Sequence, residues 1–397
     1  MNILMVGWEL PPFNSGGLGE ACYGLAKALS KKGVNINFVL PYKMNVKADF
    51  MNVIFADTKE TDILKSLQST YTTYPEWKKL FGSKGSKFSQ KEFLAKVFEY
   101  ARNIKSIAQK TNSDIIHMHD WLTYPAGIVA KSIMKKPVVA HIHSTEFDRT
   151  GGNNPNMYVY EVEKYGFDNA DVIVPVGGFM KNTLQEKYGV DPNKVHVVYN
   201  GVDDASMPNV SQSLTELKKL GYKLVLFLGR ITLQKGPDYF VRASKIVSDY
   251  YPKATFVVTG SGDMQGYMMS EAARLGVIDK YIFTGFIRGD EKNQIYQAAD
   301  VFVMPSVSEP FGITALESVK NRTPVIISKQ SGVSEVLKNS LKVDYWDVEE
   351  LANKIIAVLK YDSLPKDLRN ESVKELMNLT WDKSADDMVG IYQQLIR

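Results

Sequence analysis

The 397 residues carry 44% hydrophobic and 23% charged side chains and a net charge of +4, an ordinary balance for a globular protein that calls for no nucleic-acid partner. At about 100–200 residues per domain this length fits two domains, and a single cysteine, Cys22, excludes an intrachain disulfide and fits a reducing compartment. The apolar start, residues 1–6, is too short for a signal peptide, and no stretch approaches the ~18 uninterrupted apolar residues of a membrane span, so the expectation is a cytoplasmic protein without a transmembrane segment.

In chain order, a short apolar run over 3–6 reads as a strand and is followed by a glycine loop, Ser15-Gly16-Gly17-Leu18-Gly19. Leu18, Cys22, Leu25 and Leu29 then fall on one face of a helix that Gly33 closes. Strands follow over 34–40, 53–56, 114–119, 138–143, 171–176 and 195–199. Residues 58–92 break this rhythm. With Tyr71, Tyr74, Trp77 and Phe81 among lysines, they read either as an acceptor-binding excursion or as a surface flap anchored by its own aromatics. The alternation restarts at 223–229 and continues with strands over 255–258, 281–284, 301–304 and 324–327. Continuous β-branched runs separated by helical patterns indicate parallel sheets covered on both faces, the doubly wound α/β arrangement. The boundary falls near 202–215, giving an N-terminal domain of 1–202 and a C-terminal domain of 203–380.

Four constellations carry candidate chemistry. Gly16 and Gly17 open a helix, where free amides and the helix dipole suit an anion, although a simple tight turn needs the same residues. Arg230 and Lys235 leave the first strand of the second domain, a fork and a point charge suited to a diphosphate or a solvated loop. Glu309 and Glu317 flank a strand-to-helix junction punctuated by Pro310 and Gly312, at the crevice edge and reaching back from the helix, although a favourable helix dipole for Glu309 and solvation of Glu317 account for each taken alone. Finally, His117, His119, His141 and His143 form two i, i+2 pairs on neighbouring strands. Such a set serves either as packed residues with a strand-end member entering a crevice, or as zinc ligands if the strand register allows. Asp120 follows His119, and Asp148 and Arg149 follow His143.

Together, Gly16-Gly17-Leu18, His119-Asp120-Trp121, His143, Asn200-Gly201-Val202-Asp203, Gly229-Arg230 with Gln234-Lys235-Gly236, and the run Glu309 to Glu317 resemble the loops of glycogen and starch synthases and the large retaining family 4 of glycosyltransferases around them. The resemblance implies a GT-B fold: two Rossmann-like domains facing across a cleft, with a last helix over 381–397 crossing back to the first domain. It implies hexose transfer, with glucose foremost, from UDP- or ADP-glucose to a carbohydrate hydroxyl. Catalytic roles are implied for His143, Asp120, Arg230, Lys235 and Glu309. The donor site adds Gly16, Gly17, Phe286, Ile287, Phe311, Gly312, Ile313, Thr314 and Glu317, with Arg230 and Lys235 on the diphosphate, Glu309 facing the sugar and Glu317 on the ribose. No cofactor and no metal are implied, and an Asp-x-Asp motif is absent from the sequence. Two departures point from the synthases toward the broader family: Asn14 stands where bacterial glycogen synthases have lysine, and Glu317 is present where they often lack it. A GT-B epimerase would share the nucleotide cleft, but the Glu309/Glu317 and Arg230/Lys235 sets argue against it. A dinucleotide oxidoreductase would need a Gly-x-Gly-x-x-Gly loop, which neither half has after its first strand.

Overall fold

The computed structural model describes residues 1–13, 16–58, 90–202 and 208–396; Asn14, Asp203 and the aromatic residues Tyr71, Tyr74, Trp77 and Phe81 lie outside them. The chain divides into two compact units, Met1–Gly201 together with Leu379–Arg397, and Val202–Asn378. Each unit is built on one six-stranded sheet.

Unit 1 contains β1 (Asn2–Val6), β2 (Asn35–Leu40), β3 (Asn52–Phe55), β4 (Ile115–His119), β5 (Val138–Ile142) and β6 (Val172–Pro175), in the spatial order β3-β2-β1-β4-β5-β6. All neighbours run parallel. Every residue of β4 and β5 is buried, as expected of strands covered on both faces. Unit 2 repeats the plan with β7 (Lys223–Leu228), β8 (Ala254–Thr259), β9 (Tyr281–Gly285), β10 (Val301–Met304), β11 (Val325–Ser328) and β12 (Leu341–Val343), in the order β12-β11-β10-β7-β8-β9. Its core includes Phe227, Phe240, Phe256, Leu351 and Ile355. In an open parallel sheet, ligands bind beyond the carboxyl ends of the strands where the order reverses. That point lies between β1 and β4 in unit 1 and between β7 and β10 in unit 2.

The helix Gly17–Lys31 buries Leu18, Cys22, Leu25 and Leu29, the face that the spacing predicts. It packs against the C-terminal helix Trp381–Leu395, which belongs to unit 1. Gly24 makes the close approach possible, because a Cβ there would lie 2.4 Å from the Trp381 indole.

One sequence expectation needs correction. Residues 195–199 form no strand and make a single isolated bridge to β6, Ile173↔Val195. His196 donates to Ile173 O and Val198 to Pro175 O, but the return bond of a parallel ladder would need an N–H at Pro175, which proline lacks. Conversely, β12 is a strand that the sequence pattern does not show: three residues, Leu-Lys-Val, are too short to display a period.

Candidate active site

In unit 1, β4 runs straight into Asp120, a non-glycine residue with φ of +57°. This left-handed turn folds the carboxylate back across the sheet to the end of β5. Asp120 Oδ1 accepts the N–H of His143 at 2.7 Å and that of Ser144 at 3.4 Å, while Oδ2 is buried without a hydrogen-bond partner. Burial pushes the Asp120 carboxyl up to about 7, only partly offset by the His143 N–H and the nearby Arg149 charge.

The four histidines share one face. The register sets His119 opposite His141, and all four side chains are buried. They form two diagonal pairs, His117 Nε2 with His141 Nδ1 and His119 Nδ1 with His143 Nε2, each at 3.1 Å. His117 Nδ1 reaches the Tyr392 hydroxyl at 2.5 Å. Burial holds every one of these imidazoles below its ordinary pKa, His141 at about 3, so the cluster is neutral at pH 7. Thus both strand-end members, His119 and His143, are enclosed together with the other two.

The loop after β5 is fixed from beneath. Thr145 and Asp148 cap the short helix Glu146–Arg149 reciprocally. The buried Arg149 guanidinium donates to Ser144 O at 3.0 Å, to Glu146 at 3.1 Å and to Glu163 at 2.5 Å, and Tyr188 donates its hydroxyl to Glu163. The backbone next to His143 is therefore tied to a satisfied ionic network.

The glycine loop is simpler. Gly16 is extended and Gly17 begins the helix. The Gly19 N–H donates to the buried Glu9 carboxylate at 3.2 Å, so one amide of the first turn already holds an anion of the chain's own.

In unit 2 the loops after β7 and β10 converge. Lys235 and Glu309 form an ion pair, and Ser306 Oγ donates to the same carboxylate oxygen at 3.2 Å. Gly236, at φ +66°, lets the β7 loop lie against Pro305, since a Cβ there would meet the carbonyl oxygen at 2.1 Å. Arg230 is half-buried on the same loop. Gly312, at φ +110°, turns the chain into the helix Ile313–Lys320. From that helix Glu317 accepts from Lys292 at 2.6 Å and from the Tyr296 hydroxyl at 3.2 Å. Ile313 and Thr314 are half-buried in its first turn, whereas the Phe311 side chain is buried, with its carbonyl taken by Val333 N–H. Phe286 is 55% exposed beyond β9, next to Ile287, with the Arg288 guanidinium 4.8 Å from its ring centre.

Residues 15–206 match the sequence model described as Glycosyltransferase Family 4, and residues 212–375 match that of Glycosyl transferases group 1. The D-inositol 3-phosphate glycosyltransferase of Acidothermus cellulolyticus is 30% identical over 308 residues, covering 71% of this chain and 67% of that protein. The chain belongs to glycosyltransferase family 4. An uncharacterized glycosyltransferase of Methanocaldococcus jannaschii is 29% identical across 99% of this family 4 enzyme and 98% of its own length. Glycogen synthase of Mycobacterium tuberculosis is 25% identical, with 85% and 80% covered. The solved structure of sucrose-phosphate synthase from Thermosynechococcus elongatus superposes with a TM-score of 0.78 at 18% identity, covering 100% of this chain and 99% of that one. The architecture is the two-domain, Rossmann-like GT-B fold.

Glu9, Lys292, Tyr296 and Tyr392 also stand in these sites of the family 4 chain and belong to none of its sequence motifs. Glu9 had a signal, being the one charged residue in the run 3–12. Tyr392 had none, because its partner His117 is 275 positions away.

No helix among the described residues is long and apolar enough to cross a membrane.

Proposed function

We propose that the chain is a retaining hexosyltransferase that moves glucose from UDP- or ADP-glucose to a carbohydrate hydroxyl, with no metal or cofactor in the reaction. The observation that carries this reading is the Lys235–Glu309 pair, with Arg230 close in sequence, on loops leaving the two strands that flank the reversal of order in unit 2. Breaking the anomeric bond builds negative charge on the diphosphate. Arg230 and Lys235 supply two fixed cations for it, which is the task a metal performs elsewhere. An arriving diphosphate replaces Glu309 as the partner of Lys235, and the carboxylate is then free to accept from sugar hydroxyls. Glu317, held by Lys292 and Tyr296, keeps lone pairs for the ribose hydroxyls. Phe286 offers an exposed face to the base. For His143 and Asp120 of unit 1, the family likeness supports a role in the transfer. In the retaining mechanism of the family, the acceptor attacks on the face from which the leaving group departs, and a phosphate oxygen takes its proton.

The test is a panel of UDP-, ADP- and GDP-sugars assayed for hydrolysis and transfer with and without EDTA, with the anomeric configuration of the product read by NMR. An α-linked product formed in EDTA is expected. An inverted product, or activity lost to EDTA and restored by magnesium, would overturn the reading. A second reading concerns the acceptor alone. The D-inositol 3-phosphate glycosyltransferase relative favours a small phosphorylated polyhydroxy acceptor, a cyclitol or sugar phosphate. Maltooligosaccharides, glycogen, sugar phosphates and lipid-linked sugars assayed side by side separate the two.

A further inference from the structure

The histidine cluster of unit 1 is larger than the proposed reaction needs, and it is completed by a residue from another element. Cys22 is the chain's single cysteine, and it is buried on the helix Gly17–Lys31. One ligating atom from each of Cys22, His119 and His143 lies within 4.8 Å of the other two. His117, His119 and His141 form a second such triad, with His119 shared. We propose that Cys22, His119 and His143 bind a single zinc-type transition-metal ion, which clamps the helix Gly17–Lys31 onto the ends of β4 and β5.

Three observations favour an ion over a packed core. First, the spacing is close to that of a metal site. His119 Nδ1 and His143 Nε2 are 3.1 Å apart, and two nitrogens bound to tetrahedral zinc at about 2.0–2.1 Å stand roughly 3.3 Å apart. Rotation of side chains by about an ångström brings the thiol to bonding distance, about 2.3 Å from the ion. Second, a buried acceptor beside the set is unspent. Asp120 Oδ2 is buried with no partner, and its carboxylate is near enough to Cys22 to act on the thiol. Buried polar atoms are rarely left this way. Third, the donor set is selective. One thiolate with two imidazoles suits zinc, cobalt or copper and not magnesium or calcium. Binding displaces the thiol proton, and the Asp120 carboxylate stands beside the site to balance the charge of the ion.

Coordination through Nε2 of His143 leaves its Nδ1 unengaged, so the clamp and a sugar-facing role for this residue are compatible. The inference rests on unit 1 alone and stands or falls separately from the reaction proposed above.

Cobalt(II) is the probe. The intact chain, stripped with chelator, is titrated with Co(II) and followed by absorption. The expected result is one equivalent bound, with visible bands of tetrahedral cobalt and a near-ultraviolet thiolate-to-cobalt band. Because the sequence has one cysteine, that band can arise only from Cys22. The parent spectrum is therefore decisive even if a variant fails to fold. Cys22→Ser should abolish the thiolate band, and His119→Gln should weaken binding by more than the about 10–100-fold that loss of an outer-shell partner costs. His196→Gln, outside the cluster, should leave both unchanged. Zn(II) should raise the Tm of the stripped parent. Saturation without a thiolate band, or a Tm unmoved by Zn(II), would overturn the proposal.

Discussion

Lys235 and Glu309 restrain each other, and that restraint makes their replacement informative. Alanine at Lys235 or at Arg230 should lower turnover by about 10²–10³, the usual loss for one donor to a developing anion. Folding should change little, because both side chains lie partly in solvent. Near-parental turnover in both variants, measured on protein with an unaltered circular dichroism spectrum, would remove them from the diphosphate. A second residue-scale expectation concerns pH. His141 has an ordinary pKa near 6.5 in the unfolded chain, and burial lowers it to about 3 in the fold. Its folded pKa is depressed, so the unfolded state takes up the proton first. Stability from this group is full above pH 6.5 and is lost as pH falls toward 3. In chelator-treated protein, parent and His141→Gln should therefore diverge by about 1.4 kcal/mol per pH unit between pH 6 and pH 4, with the parent losing more. Urea midpoints at four pH values would measure this, and parallel profiles would contradict a neutral, buried His141.

At the scale of elements, the helix Gly17–Lys31 shows both what sequence can carry and what it cannot. Leu18, Cys22, Leu25 and Leu29 repeat along a few turns, so their inward face is visible in a short window. Gly24 is different. In the sequence it is only a poor helix former, and its purpose depends on Trp381. The same distinction separates the strands that were legible from those that were not. Runs such as Ile115–His119 announce themselves, whereas residues 195–199 have strand composition but no usable partner beyond Pro175, and β12 is too brief to register. Strand-end loops with unusual polar content are readable for the same local reason, so the places of Asp120, Arg230, Lys235 and Glu309 just beyond strands are visible in the sequence, whereas their catalytic roles come only from the family resemblance. Cys22 was read there only as a helix-face residue, and its place beside His119 and His143 depends on the sheet register. Gly24→Ala tests the close approach. In an open helix, alanine is favoured over glycine by about 1 kcal/mol. Against the indole it should instead destabilise by about 1–3 kcal/mol, the usual penalty of overpacking. In a Trp381→Leu background the sign should revert toward stabilisation. Denaturant midpoints of the four proteins in that cycle decide it, and an alanine that stabilises the parent would show that the indole yields freely.

For the whole molecule, the chain order and the folding units do not coincide. Unit 1 begins at Met1 and ends at Gly201, yet it is completed by Leu379–Arg397, after all of unit 2 has been threaded. The late segment is deeply embedded in its unit. Trp381, Met388, Ile391 and Tyr392 are buried, Ser384 donates to Tyr199 O at 2.7 Å, and Tyr392 meets His117. The backbone is equally close, since a Cβ on Gly201 would fall 2.1 Å from the Trp381 nitrogen. Burying four large side chains at about 1.5–3 kcal/mol each amounts to about 6–12 kcal/mol. That is comparable to the whole stability of a typical domain, about 5–15 kcal/mol. A chain ending at Asn378 should therefore lose unit 1 while unit 2, whose residues are continuous from Val202 to Asn378, stays folded. Hydrogen exchange read by mass spectrometry separates the outcomes. In the truncated chain, peptides from β1, β4 and β5 should exchange rapidly, and peptides from β7, β8 and β10 should keep the protection they have in the full chain. Protection retained in β4 and β5 would mean that the C-terminal helix is an accessory to unit 1 and that its core is sufficient without it. Loss of protection in both units would mean that unit 2 depends on a completed unit 1.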